Sequence, residues 1–291
     1  MILPFTLHQP DSVEAASSLL SRYGSDAKLL AGGSELILLF KLGLTSSPHI
    51  IDLKKVAGLS GIEFDAESQV LSIGALVTHR WIEQSPVVRD HFPLLVEMER
   101  TLANVRIRNV GTLAGNLCFA EPHADPGTLL LAHGAKVRAR STRGERLLNL
   151  ADFFVDYYRT ALAEDEVVTT IEVSKLPPNS SAVYLRFCPA ERPMANVAVG
   201  IGWNDGVARD VRVALGCVGS KPFRVAEAEE GLQGKTAGEI AAESAKVAEE
   251  AARLCDPLED LWGSVEYKRQ VVKALVTDGL TRVSREKTSH G

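Results

Sequence analysis

The spacing of apolar and polar positions divides the chain into three stretches. In the first, Val13, Ala16, Leu19 and Leu20 recur at the three-to-four spacing of a helix face, between Asp11 and Gly24. Asp11 stands where an N-cap is expected, with Glu14 at the capping-box position, and Gly24 stops the helix. Lys28–Ala31 is a short apolar strand that runs into Gly32-Gly33, and Glu35–Leu42 reads as a helix directly after it. His49–Leu53 is a second strand. Residues 1–54 therefore predict a small α/β unit. Its strand, glycine turn and helix point backbone N–H groups at one spot.

In the second stretch, residues 55–177, the pattern becomes mixed. Ile62–Phe64 and Val70–Ile73 predict a strand pair around a polar turn. Thr78 starts a short helix over His79–Gln84, and Leu94–Leu102 gives another. Gly111–Asn116 reads as a tight loop, and an apolar helix follows Asp125. Ala135–Arg140 alternates as a half-buried strand does, Arg143-Gly144-Glu145 is its turn, and Val167–Val173 is a later strand. Pro177-Pro178-Asn179-Ser180-Ser181 is the best linker in the chain.

The third stretch, residues 178–291, begins with a strand at Tyr184. Asn196–Trp203 and Val207–Cys217 flank Asn204-Asp205-Gly206, a hairpin signal. Thr236 and Glu239 form a capping box for a helix that runs to Leu254. Ser264 starts a further helix that continues past Val276, and the polar tail after Val283 is expected to fray. The fold class is α+β: a small α/β unit and a mixed α+β unit, then a C-terminal antiparallel sheet covered by helices.

Composition removes several functions. A chain of 291 residues with 45% apolar and 24% charged side chains is that of an ordinary soluble domain protein. Its net charge of −5 is wrong for a nucleic-acid binder. No signal-peptide pattern or membrane-spanning run stands out. The cysteines, Cys118, Cys188, Cys217 and Cys255, lack CxxC spacing, so neither a zinc site nor an iron–sulfur cluster is expected here. Scattered free thiols predict a reducing, cytoplasmic setting. The Rossmann fingerprint is missing: Gly200 and Gly202 lead into a hairpin turn, where that fingerprint needs a helix. Gly231-Leu232-Gln233-Gly234-Lys235-Thr236 ends like a phosphate loop, but Glu229 occupies the position of its first glycine. Ser34 lies in no nucleophile elbow, and no nucleophile–base–acid set is visible. Any chemistry would be a cofactor's.

Two glycine loops carry the candidate chemistry. Ala31-Gly32-Gly33-Ser34 and Gly111-Thr112-Leu113-Ala114-Gly115-Asn116 have the composition of anion cradles, since glycine lets the main chain close on an oxyanion. A strand–helix connection alone also uses Gly-Gly. Two such loops suggest two clamps on one ligand with two phosphates. Thr112 and Asn116 add side-chain donors. Asp125 would repel a phosphate. It suits a ribose or ribityl hydroxyl or a flavin N–H, and it also suits an N-cap; the two roles can coexist. Arg106 and Arg108 could meet a diphosphate, although ion-paired arginines are the commoner case.

At these residues the chain resembles the FAD-binding medium subunits of molybdenum hydroxylases, the family of carbon monoxide dehydrogenase and xanthine dehydrogenase. The likeness lies in Ala31-Gly32-Gly33-Ser34-Glu35-Leu36 and in Thr112-Leu113-Ala114-Gly115-Asn116-Leu117 with Pro122-His123-Ala124-Asp125-Pro126. It extends to Phe5-x-x-His8-Gln9-Pro10, Ile107-Arg108-Asn109, Asp152-Phe153-Phe154 and Glu266-Tyr267-Lys268-Arg269. The resemblance implies FAD bound between the first two parts with its ring reaching the third. It implies a pyrophosphate held by Gly32, Gly33, Ser34, Thr112, Gly115 and Asn116, with Ala31, Glu35, Leu36 and Ala114 completing the loops. It also implies Asp125 toward the ribityl or ribose part, Leu102 near the isoalloxazine, and Arg186 in place of a lysine near the flavin. Pro189 and Pro193 depart from the family pattern. The expected partners are a large subunit with the molybdenum cofactor, a small subunit with two 2Fe–2S clusters, and NAD or another acceptor. The alternatives are an assembly protein that has lost FAD and a stand-alone flavin oxidase.

Overall fold

In the computed structural model, which describes residues 2–289, Ser12 and not Asp11 starts the first helix. The chain begins with β1 (Thr6–His8), α1 (Val13–Tyr23), β2 (Ala27–Leu30), α2 (Leu36–Leu42) and β3 (His49–Asp52). Ser12 Oγ accepts the Ala15 N–H at 3.3 Å, while Glu14 pairs with Arg140. Asp11 falls one residue too early, because Ser12 already has the extended backbone that a cap needs. Gly24 ends the helix at a φ of 52°. The strands form a parallel sheet in the order β1-β3-β2. Ile50 and Ile51 of the central strand are both buried, as a parallel strand covered on two faces requires. Val13, Ala16 and Leu20 pack with Ala27, Ile51, Leu53 and Val167.

Next come β4 (Ile62–Asp65) and β5 (Val70–Gly74), an antiparallel pair as expected. Five short helices follow: α3 (His79–Gln84), α4 (Pro86–His91), α5 (Pro93–Thr101), α6 (Val105–Arg108) and α7 (Leu113–Phe119). The expected loop at Gly111–Asn116 is thus shorter than its composition suggests, and Ala114, Gly115 and Asn116 are helical. Thr112 makes the difference: its Oγ1 accepts the Gly115 N–H at 3.0 Å and starts the helix. After α8 (Pro126–Ala132) come β6 (Lys136–Ser141), β7 (Gly144–Asn149), α9 (Leu150–Phe153), β8 (Phe154–Asp156), β9 (Arg159–Thr160) and β10 (Val167–Ser174). Ser141 pairs with Gly144, so the turn is at Thr142-Arg143, one residue earlier than expected. The sheet order is β4-β5-β10-β6-β7.

The remaining elements are β11 (Ser180–Phe187), β12 (Ala195–Asn204), β13 (Val207–Gly216), β14 (Phe223–Arg224), α10 (Ala226–Leu232), α11 (Ala237–Leu254) and α12 (Val265–Ser289). The four strands form an antiparallel sheet in sequence order. Asp205 and Gly206 turn the hairpin at φ of 49° and 80°. The Thr236–Glu239 capping box is formed. The tail is helical to Ser289 and not frayed there, because Val283 and Ser284 are buried.

Contacts group the chain into two units. One holds the chain up to Phe119 with Ala135–Val155 and Arg159–Val173; the other holds Ala120–Gly134, Asp156–Tyr158 and the chain from Ser174 onward. Helix α8 packs on β12 and β13 within the second unit.

Candidate functional site

In the first unit the two glycine loops touch through their backbones. A Cβ built on Gly32 would stand 2.8 Å from the Val110 carbonyl carbon, closer still to its oxygen, and 2.9 Å from Gly111 Cα. Ser34 Oγ lies 3.2 Å from the point that a Gly111 Cβ would take. Gly33 has a φ of 78°, the left-handed region that favours glycine. Each loop is pinned by its own elements. The Gly33 carbonyl accepts the Ile37 N–H at 3.0 Å, which ties the first loop to α2. The Gly111 carbonyl accepts the His79 N–H at 3.0 Å and Leu113 N–H donates to Val77 at 3.3 Å, which tie the second to the start of α3.

This arrangement is rich in neutral donors. The N–H groups of Gly32, Gly33 and Ser34 donate to no main-chain carbonyl among the described residues. Ala31, Ser34, Glu35 and Leu36 are half-buried around them; Glu35 precedes α2 without a side-chain capping bond. Across from them, Thr112 and Ala114 are buried while Gly115 and Asn116 keep partial exposure. A Cβ on Gly115 would meet Thr112 Oγ1 at 2.8 Å. Of the α6 arginines, Arg108 is already engaged. Arg108 pairs with Glu83 at 3.1 Å and donates to the Leu102 carbonyl at 2.9 Å, and Arg106 is exposed. Those bonds hold Leu102, buried at the end of α5. Glu83 is correspondingly acidic: burial opposes its ionisation, but hydrogen bonds and charge from Arg80 and Arg108 outweigh it.

In the second unit Asp125 is the hub. It precedes α8 but makes no side-chain capping bond. Instead it accepts from the Tyr184 hydroxyl at 2.5 Å and pairs with Arg186 Nη1 at 2.8 Å. Strand alternation explains the convergence. Tyr184 and Arg186 share one face of β11, and Asn196 stands opposite Arg186 in β12. Asn196 Nδ2 donates to the Ala124 carbonyl at 3.3 Å, and Thr128 Oγ1 donates to Asn196 Oδ1 at 2.7 Å. Gly216 lies opposite Asn196 in β13, where a Cβ would strike both Thr128 and Asn196. Burial raises the Asp125 pKa, against the Arg186 charge and hydrogen bonds from Tyr184 and Asn196. It likewise pushes the Tyr184 phenol and the Cys217 thiol well up, with the Asp125 charge adding to both.

A second acidic anchor, Glu121, pairs with Arg192 and accepts from Tyr158 at 2.8 Å. Burial works against its ionisation, yet bonds from His123 and Tyr158 and the Arg192 charge bring it down to about 2. It ties down the segment that contains Pro189 and Pro193.

Sequence reasoning thus named the loops, Asp125 and Arg186, but not the pairing of the last two. It also missed Tyr184, Asn196, and a buried pair in the first unit, His79 with Glu99 at 2.9 Å. The signal for Glu99 was its place on the apolar stripe of α5 with Leu95, Val96 and Met98, all buried. The four cysteines are free thiols, and no helix among the described residues is long and apolar enough to cross a membrane.

Residues 3–176 match the family described as the FAD binding domain in molybdopterin dehydrogenase, and residues 191–283 match the CO dehydrogenase flavoprotein C-terminal domain. The nicotine 6-hydroxylase medium subunit of Paenarthrobacter nicotinovorans is 34% identical, over 92% of this chain and 93% of that one. The carbon monoxide dehydrogenase medium chain of Hydrogenophaga pseudoflava is 32% identical, over 96% and 97%. A solved structure of carbon monoxide dehydrogenase from the same organism, lacking the Mo-pyranopterin moiety, superimposes with a TM-score of 0.93 at 30% identity over 99% of each chain.

Proposed function

The chain belongs to the FAD-binding medium subunits of molybdenum hydroxylases, and from this premise we propose that it carries electrons from the 2Fe–2S clusters of a small partner subunit through FAD to NAD or another acceptor. A large partner subunit with the molybdenum cofactor would oxidise the substrate. The observation that carries the proposal is the backbone contact of Gly32 with Val110 and Gly111. It sets two glycine turns side by side, with amides unclaimed by main-chain carbonyls on the first.

FAD fits this donor set. Its diphosphate needs several N–H groups within one small volume, and the close backbone approach that glycine permits at position 32 brings the two turns together. The chain's own residues do the binding. Gly32, Gly33 and Ser34 offer amides, Ser34 and Thr112 offer hydroxyls, and Asn116 offers a side-chain amide from the first turns of α7. The flavin, when bound, supplies the capacity to accept electrons from one centre and release them to another. Asp125 and Arg186, tied to each other and to Tyr184, present a fixed acceptor and a fixed cation. We assign them to the ribityl or ribose hydroxyls and to the ring, respectively. The division into residues 1–54, 55–177 and 178–291 and a cytoplasmic setting belong to the same proposal.

Isolation of the native complex tests it. The expected result is three polypeptides with flavin and 2Fe–2S absorbance. A chain purified alone that stays colourless after incubation with FAD would instead support an assembly protein that has lost its flavin.

A further inference from the structure

Behind the second loop lies a buried ionisable pair that the binding chemistry above does not use. His79 opens α3 and is 2% exposed; Glu99, on α5, is fully buried. Nδ1 of His79 lies 2.9 and 3.1 Å from the two carboxylate oxygens, so both oxygens fix one edge of the ring. The other edge abuts the clamp: Cδ2 is 3.3 Å from the point that a Gly111 Cβ would take. The His79 N–H also donates to the Gly111 carbonyl. Gly111 has no side chain of its own to lock it, and it is held between this imidazole and the Ile107 carbonyl, which its N–H meets at 2.7 Å.

Stability alone does not call for such a pair. Burying a carboxylate and an imidazole costs desolvation, and apolar side chains of similar volume are often as stable or more so. What the pair adds is direction. One ring N–H shared between two carboxylate oxygens sets the direction of the ring, and the ring sets the position of Gly111.

We propose that His79 and Glu99 are positioning residues for the clamp, holding Gly111 at the spacing that the FAD diphosphate requires. The inference rests on the FAD reading of the two loops. A flavin-fluorescence titration of FAD into the flavin-free chain tests it, read at a temperature at which every variant is folded, with thermal melting measured in parallel. Glu99→Leu strands the ring N–H and is expected to raise the FAD Kd about tenfold and to lower the melting temperature. Glu99→Gln keeps an acceptor oxygen and returns the Kd to within about threefold of wild type. The double variant His79→Leu/Glu99→Leu leaves no polar group unpaired, so it regains most of the melting temperature but still binds FAD about tenfold more weakly. A double variant that binds FAD like wild type overturns the proposal, because the pair would then serve stability only. Glu99→Gln as weak as Glu99→Leu overturns it too. A wild-type chain that takes up no FAD overturns the clamp assignment itself, a distinct result.

Discussion

Gly32→Ala puts one methyl group into the contact that defines the clamp. The new Cβ would stand 2.8 Å from the Val110 carbonyl carbon and 2.9 Å from Gly111 Cα. Carbon atoms settle at about 3.5–4.0 Å, so one loop must retreat by at least about 0.7 Å. Neither loop is free to do so. The first is tied to α2 through the Gly33 carbonyl, the second to the α3 entry through Gly111 and Leu113. The neighbours are main-chain atoms, so no rotamer change relieves the clash. The cost therefore belongs at the upper end of the usual 1–3 kcal/mol for overpacking. For a chain of this size about 3 kcal/mol corresponds to a drop of roughly 6 °C in melting temperature. Retreat also parts the donors that must converge on one diphosphate, so FAD retention should fall more than stability does. The assay is the flavin-to-protein absorbance ratio after gel filtration, with a thermal melt of the same sample. Gly61→Ala is the control, because nothing lies within 4 Å of its Cβ. Gly32→Ala that keeps full flavin and melts within a degree of wild type would refute the reasoning.

Tyr184→Phe removes a donor from the buried Asp125 carboxylate and should cost about 1–3 kcal/mol in a denaturant melt. Asp125→Ala removes the buried carboxylate that Arg186 and Tyr184 both meet, costs about 3 kcal/mol or more, and should weaken FAD retention; full flavin occupancy in that variant would return Asp125 to a structural role alone. His133 is driven down to about 4 from 6.5 by burial, aided by the Arg212 charge and opposed by its bond to the Ser174 carbonyl. The unfolded chain therefore takes up this proton first, so the contribution is intact above pH 6.5 and is lost as pH falls to about 4, reaching about 3 kcal/mol. Melts across that range should show the loss, and His133→Asn should flatten it; an unchanged pH slope would count against the assignment. Because the clamp offers neutral donors and Arg108 is held by Glu83, FAD affinity should change less than about threefold between 0.05 and 0.5 M salt. A steep loss in fluorescence titrations would reveal an unnoticed cation.

Most of the fold could be read from local pattern. The stripe of α1, the alternation of β6, the Asp205-Gly206 turn and the Thr236–Glu239 box are each set by residues within a few positions of one another. What failed depended on distant partners or on very short elements. Helix α4 has a single buried apolar residue, Val88, so no period exists to detect; Pro86 and the Ser85 cap define it instead. The first turn of α7 is disguised by Gly115 and Asn116, both poor helix formers, and is started by the Thr112 hydroxyl. The surroundings of Asp125 could not be read locally at all, since Tyr184 and Arg186 lie 59 and 61 residues away and are aimed by the register of β11 on β12.

The same distinction explains why the glycine loops and the Asp125 cluster differ in how plainly they show. In the first unit the groups we assign to the diphosphate are main-chain amides, and these are present at every residue but proline. The sequence records them only indirectly, as glycines where a side chain would block the approach. Glycine at 32 and 111 is therefore a statement about what stands opposite each position, and the clash geometry turns that statement into a distance. In the second unit the clustered groups are side chains whose identities are plain, but whose meaning depends on pairing. An aspartate before a helix reads as a cap until a tyrosine and an arginine claim it. The burial that raises the Asp125 pKa makes this claim consequential. A carboxylate so enclosed would be costly without Arg186, and Arg186 in turn cannot be exchanged without rebalancing Tyr184 and Asn196. The clamp should thus tolerate changes of side chain at Ser34 or Asn116 better than any added carbon at Gly32, whereas the Asp125 cluster should respond to charge before it responds to volume.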